Sequence, residues 1–111
     1  MEIKINEFAQ EVHENAIAHG WWDEKRSFPE IIALIHSELS EALEEYRMGF
    51  DPDLIYPGKD GKPEGLPIEL ADAILRILDY CACAGIDIEE ALKLKHAYNK
   101  GRPYRHGGKK C

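Results

Sequence analysis

The segment from Ile68 to Ala84 is apolar on nearly every side when it is drawn as a helix. Its only polar stripe consists of Glu69, Asp72, Arg76 and Asp79. A helix with this pattern is expected to be buried. A chain of 111 residues provides one modest hydrophobic core, so a single all-α domain is expected. Four short helices offer limited surface to cover this helix, so the pattern also predicts a homo-oligomer, with a dimer as the minimum.

Helical spacing and capping residues predict three further helices. Two of them start at a Ser or an Asp that is followed three positions later by Glu, which is the spacing of a capping box. Glycines stand where helices should end. The predicted spans, in chain order, are 5–17, 27–48, 68–84 and 87–100. Residues 1–104 are expected to form one domain, and the basic tail 105–111 is expected to be disordered.

The segment 49–67 joins helices two and three and contains four prolines and four glycines. This composition excludes a regular helix or strand. A connection of this length in a small domain is usually functional or mobile. No strand pattern occurs elsewhere, so the predicted architecture is a four-helix core with a long loop between helices two and three.

The chain is acidic and carries no visible membrane or export signal. Its 14 basic and 21 acidic side chains give a formal charge of −7, so it repels polyanions and a nucleic-acid partner is not expected. No apolar stretch approaches the roughly 18 residues of a membrane span, and the N-terminus lacks a secretory pattern. Three cysteines without a C-x-x-C pair favour reduced thiols. We therefore expect a cytoplasmic protein without a membrane partner.

Two pairs of acidic residues lie on the faces by which helices two and three should pack. Glu38 and Glu41 are three residues apart at the edge of the apolar face of helix two, and Glu69 and Asp72 repeat this spacing on helix three. Buried carboxylates are costly unless they are paired or bind a cation. Because Arg76 is the only base in the helix-three stripe, the pattern predicts a hard divalent metal ion, which prefers oxygen ligands.

The alternatives to a magnesium site are a solvated helix face and a carboxylate-bridged di-iron site. A solvated face is usual for a single Glu-x-x-Glu pair, but two such pairs on apolar helices disfavour it. A di-iron site normally requires Glu-x-x-His on two helices. No histidine in the chain follows a glutamate by three residues. Magnesium is therefore preferred to iron.

The motifs Glu38-Leu39-Ser40-Glu41 and Glu69-Leu70-Ala71-Asp72, on consecutive helices, resemble those of the MazG-like nucleoside triphosphate pyrophosphohydrolases. The resemblance extends from His19-Gly20-Trp21 to Asn99 and Arg102. It implies a four-helix core that assembles as a homodimer or homotetramer. It also implies Mg2+-dependent cleavage of a nucleoside triphosphate between the α- and β-phosphates, with Mn2+ as a substitute metal and a house-cleaning role in the nucleotide pool. The implied metal ligands are Glu38, Glu41, Glu69 and Asp72, and the implied catalytic residues are Glu38 and Glu41.

Basic residues near the end of helix four are candidates for phosphate contacts. Lys95, Asn99 and Arg102 share one face of the helix and suit phosphate binding, although bases near a helix C-terminus also occur without any ligand. The resemblance favours the phosphate role. Lys59 and Lys62, in the long loop, are supplementary candidates.

Trp21 and Trp22 are adjacent between helices one and two. One is expected to cover the core, and the other is a candidate for stacking on a nucleobase. His19 is a base-binding candidate through the resemblance and a helix-capping candidate through its position.

Two further acids continue the acidic stripes by about one turn. Glu45 and Asp79 are candidates as metal ligands, as supports for the ligands or as partners of Arg76. The alternative to catalysis is a non-catalytic helical interaction module with the same fold.

Overall fold

The computed structural model describes residues 4–104 and shows four helices and a small hairpin. The helices begin and end within two residues of the predicted bounds, and the predicted tail 105–111 lies outside the described residues. In chain order the elements are α1 (Ile5–Ala18), α2 (Phe28–Arg47), β1 (Tyr56–Pro57), a 3-10 turn (Lys59–Gly61), β2 (Pro63–Glu64), α3 (Leu66–Ala84) and α4 (Ile88–Lys100).

The predicted helix caps are confirmed. The backbone N–H of Glu30 donates to Ser27 Oγ at 3.3 Å, and the backbone N–H of Glu90 donates to Asp87 Oδ1 at 3.0 Å. These bonds satisfy N–H groups that have no partner within the first turn of a helix. Gly85 ends α3 at φ 71°, a left-handed conformation in which glycine carries no steric penalty.

Helix α3 packs against both α1 and α2. The core between α2 and α3 is formed by Ile31, Ile35 and Ala73, with Trp22 and Tyr80 packed against it. Removal of these apolar surfaces from water holds the two helices together. This packing fixes the face of α2 that is turned towards α3.

Helix α4 is joined to the rest of the molecule through its first turn. The Asn6 backbone N–H donates to Glu89 Oε1 at 2.7 Å, and Asn6 Nδ2 donates to Asp87 Oδ1 at 2.7 Å. The hydrogen bond from Asn6 helps to hold the pKa of Asp87 below its ordinary value. Residues 90–100 of α4 are exposed.

Within one chain, α3 is buried on some of its sides only. Leu70, Ile74 and Ile77 lie on one side of α3 and are 43%, 56% and 39% exposed. The reason is that α1 and α2 cover only the other sides of the helix. The radius of gyration is 16.6 Å, whereas a compact domain of about 100 residues has about 13 Å. Despite this apolar surface, no helix among residues 4–104 is long and apolar enough to cross a membrane.

The connection between α2 and α3 is more ordered than its composition predicts. Its two short strands pair antiparallel, with Tyr56 opposite Glu64. The Tyr56 ring stacks on Phe50, with 5.0 Å between the ring centroids. At Gly65, where φ is 125°, a Cβ atom would clash with the carbonyl oxygen of Leu54. Prolines in two-residue strands give no alternating pattern, so the sequence contains no signal for this hairpin.

Candidate metal centre

Acidic side chains from α2 and α3 converge, as the sequence predicts, with three glutamates close together and Asp72 beside Glu38. We call Glu38, Glu41, Glu69 and Asp72 the carboxylate cluster. One oxygen from each of the three glutamates lies within 4.8 Å of the other two, and Asp72 shares a hydrogen bond with Glu38. The three-residue spacing within each pair places both acids of that pair on the side of the helix that faces the other helix. Glu38 is only 9% exposed.

Two members of the carboxylate cluster, Glu38 and Glu69, have raised pKa values. Glu38 shares a hydrogen bond with Asp72, and Glu69 shares one with Glu41. A hydrogen bond between two carboxyl groups requires that one of them is protonated. Desolvation is the largest cause of the raised pKa of Glu38, while the nearby Arg76 guanidinium acts in the opposite direction. Burial, followed by the bond to Glu41, raises the pKa of Glu69 to about 7.

The donor set suits a hard divalent cation. Glu69 Oε2 is buried and accepts no hydrogen bond from residues 4–104. The cluster offers carboxylate oxygens only, which are the ligands preferred by Mg2+ and Mn2+. A bound cation would replace the shared protons and would compensate the mutual repulsion of the four acids. These oxygens therefore fit Mg2+, and the histidines expected of a di-iron carboxylate site are not part of the cluster.

The carboxylate cluster forms one wall of an open cleft of about 530 Å³, which we call the acidic cleft. This volume lies within the range of 300–1,000 Å³ that is typical of small-molecule sites. The other lining residues are Ala16 of α1, Trp21, Lys62 of the hairpin, and Leu75, Arg76 and Asp79 of α3.

The two tryptophans have different positions. Trp22 packs against the core, and its indole N–H donates to Asp79 Oδ1 at 3.0 Å. Trp21 instead lines the acidic cleft, where the Arg26 guanidinium lies over its ring at 3.5 Å from the centroid. The expected core role therefore falls to Trp22, and Trp21 is the tryptophan at the cleft.

Asp79 belongs to a contact that sequence reasoning missed. His13 Nδ1 lies 2.7 Å from Asp79 Oδ1, and the two side chains are only 13% and 10% exposed. The ring of His13 also meets that of Trp22 edge-on at 5.6 Å. His13 and Asp79 are 66 positions apart, so no local spacing links them. The only sequence signal for this contact is that His13 lies next to the apolar stripe of helix one.

Glu45, like Asp79, accepts hydrogen bonds from an aromatic side chain. The Tyr56 hydroxyl donates to both oxygens of Glu45, at 2.9 and 3.0 Å, which raises the pKa of Tyr56 to about 12. Glu45 and Asp79 therefore act as structural acceptors beside the carboxylate cluster.

The remaining substrate candidates do not line the acidic cleft. Within the described part of the chain, α4 contributes no residue to its walls, so the assignment of Lys95, Asn99 and Arg102 to phosphate stays a prediction. Lys95 and Arg102 lie near the ring of Tyr98. His19 Nδ1 lies 2.8 Å from the carbonyl oxygen of Asn15, which is the arrangement of a helix cap.

Comparison of the chain with protein-family models, with curated proteins and with solved structures finds no match. The resemblance to the MazG-like enzymes therefore stays a prediction from the two acidic motifs.

We expect Mg2+ to raise the melting temperature, because the carboxylate cluster forms only when the chain folds. At a free Mg2+ concentration of about 100 times Kd, the gain is about 2.7 kcal/mol, or roughly 10 °C. Glu38→Gln and Asp72→Asn should remove this shift in a calorimetric or fluorescence melt. Glu11→Gln, in an exposed part of α1, is the matched control and should retain it. An equal shift in all four proteins, or none in the wild type, would contradict the metal assignment.

The metal-free protein should lose stability as the pH rises from about 4.5 to 7. The folded state holds a proton on Glu69, whose pKa is about 7, whereas the unfolded chain releases it near the ordinary value of 4.5. The folded state therefore binds more protons in this window, and the loss is on the order of 1–3 kcal/mol. Urea unfolding in the presence of EDTA, at pH values between 5 and 8, measures this loss in the free energy of unfolding. Glu69→Gln should flatten the profile, and the same slope in both proteins would contradict this cause.

Proposed function

We propose that this protein is a MazG-like nucleoside triphosphate pyrophosphohydrolase that requires Mg2+. The observation that carries the proposal is the convergence of four carboxylates on the wall of a cleft large enough for a nucleotide. The products are a nucleoside monophosphate and pyrophosphate. A role in nucleotide-pool house-cleaning in the cytoplasm belongs to the same proposal and rests on the motif resemblance.

The proposed reaction is the attack of water on the α-phosphorus. The water oxygen forms a bond to this phosphorus while the bond to the bridging oxygen breaks, and the electron pair leaves with pyrophosphate. When bound, Mg2+ supplies the positive charge that neutralises the phosphate oxygens. Glu38, Glu41, Glu69 and Asp72 would hold the cation. The proton of the attacking water passes to one of the two α2 glutamates, Glu38 or Glu41.

For the base of the substrate, the geometry favours Trp21 over Trp22. Trp21 lines the acidic cleft, whereas the ring of Trp22 packs on the core and its N–H is bound to Asp79. An aromatic face at the cleft suits stacking on a nucleobase. His19 stays a base-binding proposal through the resemblance alone.

The wild-type protein with Mg2+ should release pyrophosphate from at least one member of a panel of nucleoside triphosphates. Replacement of Mg2+ by EDTA should abolish turnover. Because a positioned general base contributes about 10²–10⁴-fold, Glu41→Gln should lower kcat by at least about 10². Glu11→Gln is again the control. The products are identified by phosphorus NMR.

Two results would contradict this proposal in different ways. A nucleoside diphosphate and inorganic phosphate as products would place the cleaved bond elsewhere. Absence of turnover across the panel, with a Mg2+-dependent melting shift intact, would favour the non-catalytic interaction module.

We also propose that the protein assembles as a homodimer or homotetramer. Leu39, Leu43 and Tyr46 follow one side of α2 and are 46%, 58% and 61% exposed, as are the apolar residues of α3 described above. Monomers rarely leave large contiguous apolar patches in water. A second copy of the chain would cover these stripes.

Light scattering should therefore give a mass of at least twice the 12.7 kDa of one chain. Ile74→Asp, on the exposed side of α3, should lower this mass by placing a charge in the interface. Ile17→Asp is the matched control, because Ile17 is 49% exposed on α1. A wild-type protein that is monomeric at micromolar concentration would contradict the assembly.

A further inference from the structure

The acidic cleft contains two basic side chains, which come from two different elements of the fold. Among the described lining residues there are five acids, and the only bases are Lys62 of the hairpin and Arg76 of α3. A polyphosphate entering this cleft meets a negative surface even when a divalent cation neutralises part of the cluster. Binding therefore depends on the positive side chains within reach.

The hairpin holds Lys62 in place. The Gly58 backbone N–H donates to the carbonyl oxygen of Lys62 at 2.7 Å, and the Lys62 N–H donates to that of Lys59 at 3.2 Å. The hairpin is in turn tied to α2 through the hydrogen bond from Tyr56 to Glu45. The backbone at Lys62 is therefore fixed, while its ammonium group can move on a flexible stem.

Arg76 lies one turn after Asp72 on α3, and its side chain is 30% exposed. Its Nη2 is 3.9 Å from Glu38 Oε1, which is longer than a hydrogen bond. Its guanidinium carbon is 5.1 Å from the centroid of the Trp21 ring. Since Arg76 donates no hydrogen bond to the rest of residues 4–104, its donors are available to a ligand.

We propose that Lys62 and Arg76 bind the polyphosphate part of the substrate. This inference rests on the proposed function and assigns to it the phosphate contacts that α4 does not supply to the cleft. Arginine binds phosphate oxygens with two parallel hydrogen bonds, and lysine acts as a point charge. The two residues come from separate elements, so the hairpin and α3 together enclose the ligand.

The test is calorimetric binding of inorganic pyrophosphate in the presence of Mg2+. Lys62→Met should weaken binding about tenfold, the equivalent of one charge-assisted hydrogen bond. Lys25→Met, at an exposed lysine that does not line the acidic cleft, should change affinity less than twofold. Lys62→Arg should restore most of the loss. Arg76→Lys should weaken binding because it keeps the charge but loses the paired contact, and its melting shift with Mg2+ should match that of the wild type.

Several outcomes would overturn the inference. Equal pyrophosphate affinity in the Lys62→Met and Lys25→Met proteins would contradict the role of Lys62. Unchanged affinity in the Arg76→Lys and Arg76→Met proteins would contradict the role of Arg76. A wild-type protein that does not bind pyrophosphate would contradict both. If pyrophosphate binding depends on Lys62 but no nucleotide is hydrolysed, the hydrolase proposal fails and the phosphate site stands. If nucleotide hydrolysis is unchanged in the Lys62→Met protein, the phosphate site is contradicted and the hydrolase proposal stands.

Discussion

The electrostatic repulsion among four carboxylates at the junction of α2 and α3 is the constraint on which the rest of this structure depends. The apolar contact of Ile31 and Ile35 with Ala73 brings the two helices together, and the same contact places Glu38, Glu41, Glu69 and Asp72 on one wall of the acidic cleft. Desolvation, followed by the neighbouring acids, raises the pKa of Glu38 and of Glu69 at this junction. The fold therefore stores an unfavourable interaction where a divalent ion would relieve it.

The neighbouring acids show what a structural carboxylate looks like in this protein. Asp79 accepts a hydrogen bond from Trp22 and contacts His13, and Glu45 accepts one from Tyr56. The glutamates of the carboxylate cluster instead face one another, and the Arg76 guanidinium lies 3.9 Å from Glu38, beyond hydrogen-bond distance. This contrast separates acids that are satisfied within the fold from the acids that we propose to be metal ligands, since buried polar groups are otherwise satisfied.

The helices, their caps and the convergence of the acids were predictable, because the spacing of residues on a helix determines which side chains share a face. The contact between His13 and Asp79 was not, since it joins positions that only the tertiary fold brings together. The hairpin also gave no signal, because its strands are two residues long and its order depends on Tyr56 reaching Glu45. Periodicity likewise showed that α3 is apolar on most sides, but not that one chain leaves Ile74 in water.

The measurement that tests the central claim most directly is the anomalous scattering of Mn2+ in crystals of the protein. The account predicts an anomalous peak between α2 and α3, at about 2.0–2.3 Å from oxygens of Glu38, Glu41, Glu69 and Asp72. Magnesium added in excess should reduce the peak, because both ions prefer the same oxygen ligands. A cluster without a peak in crystals that bind Mn2+ elsewhere, or Mn2+ held by other residues, would contradict the account.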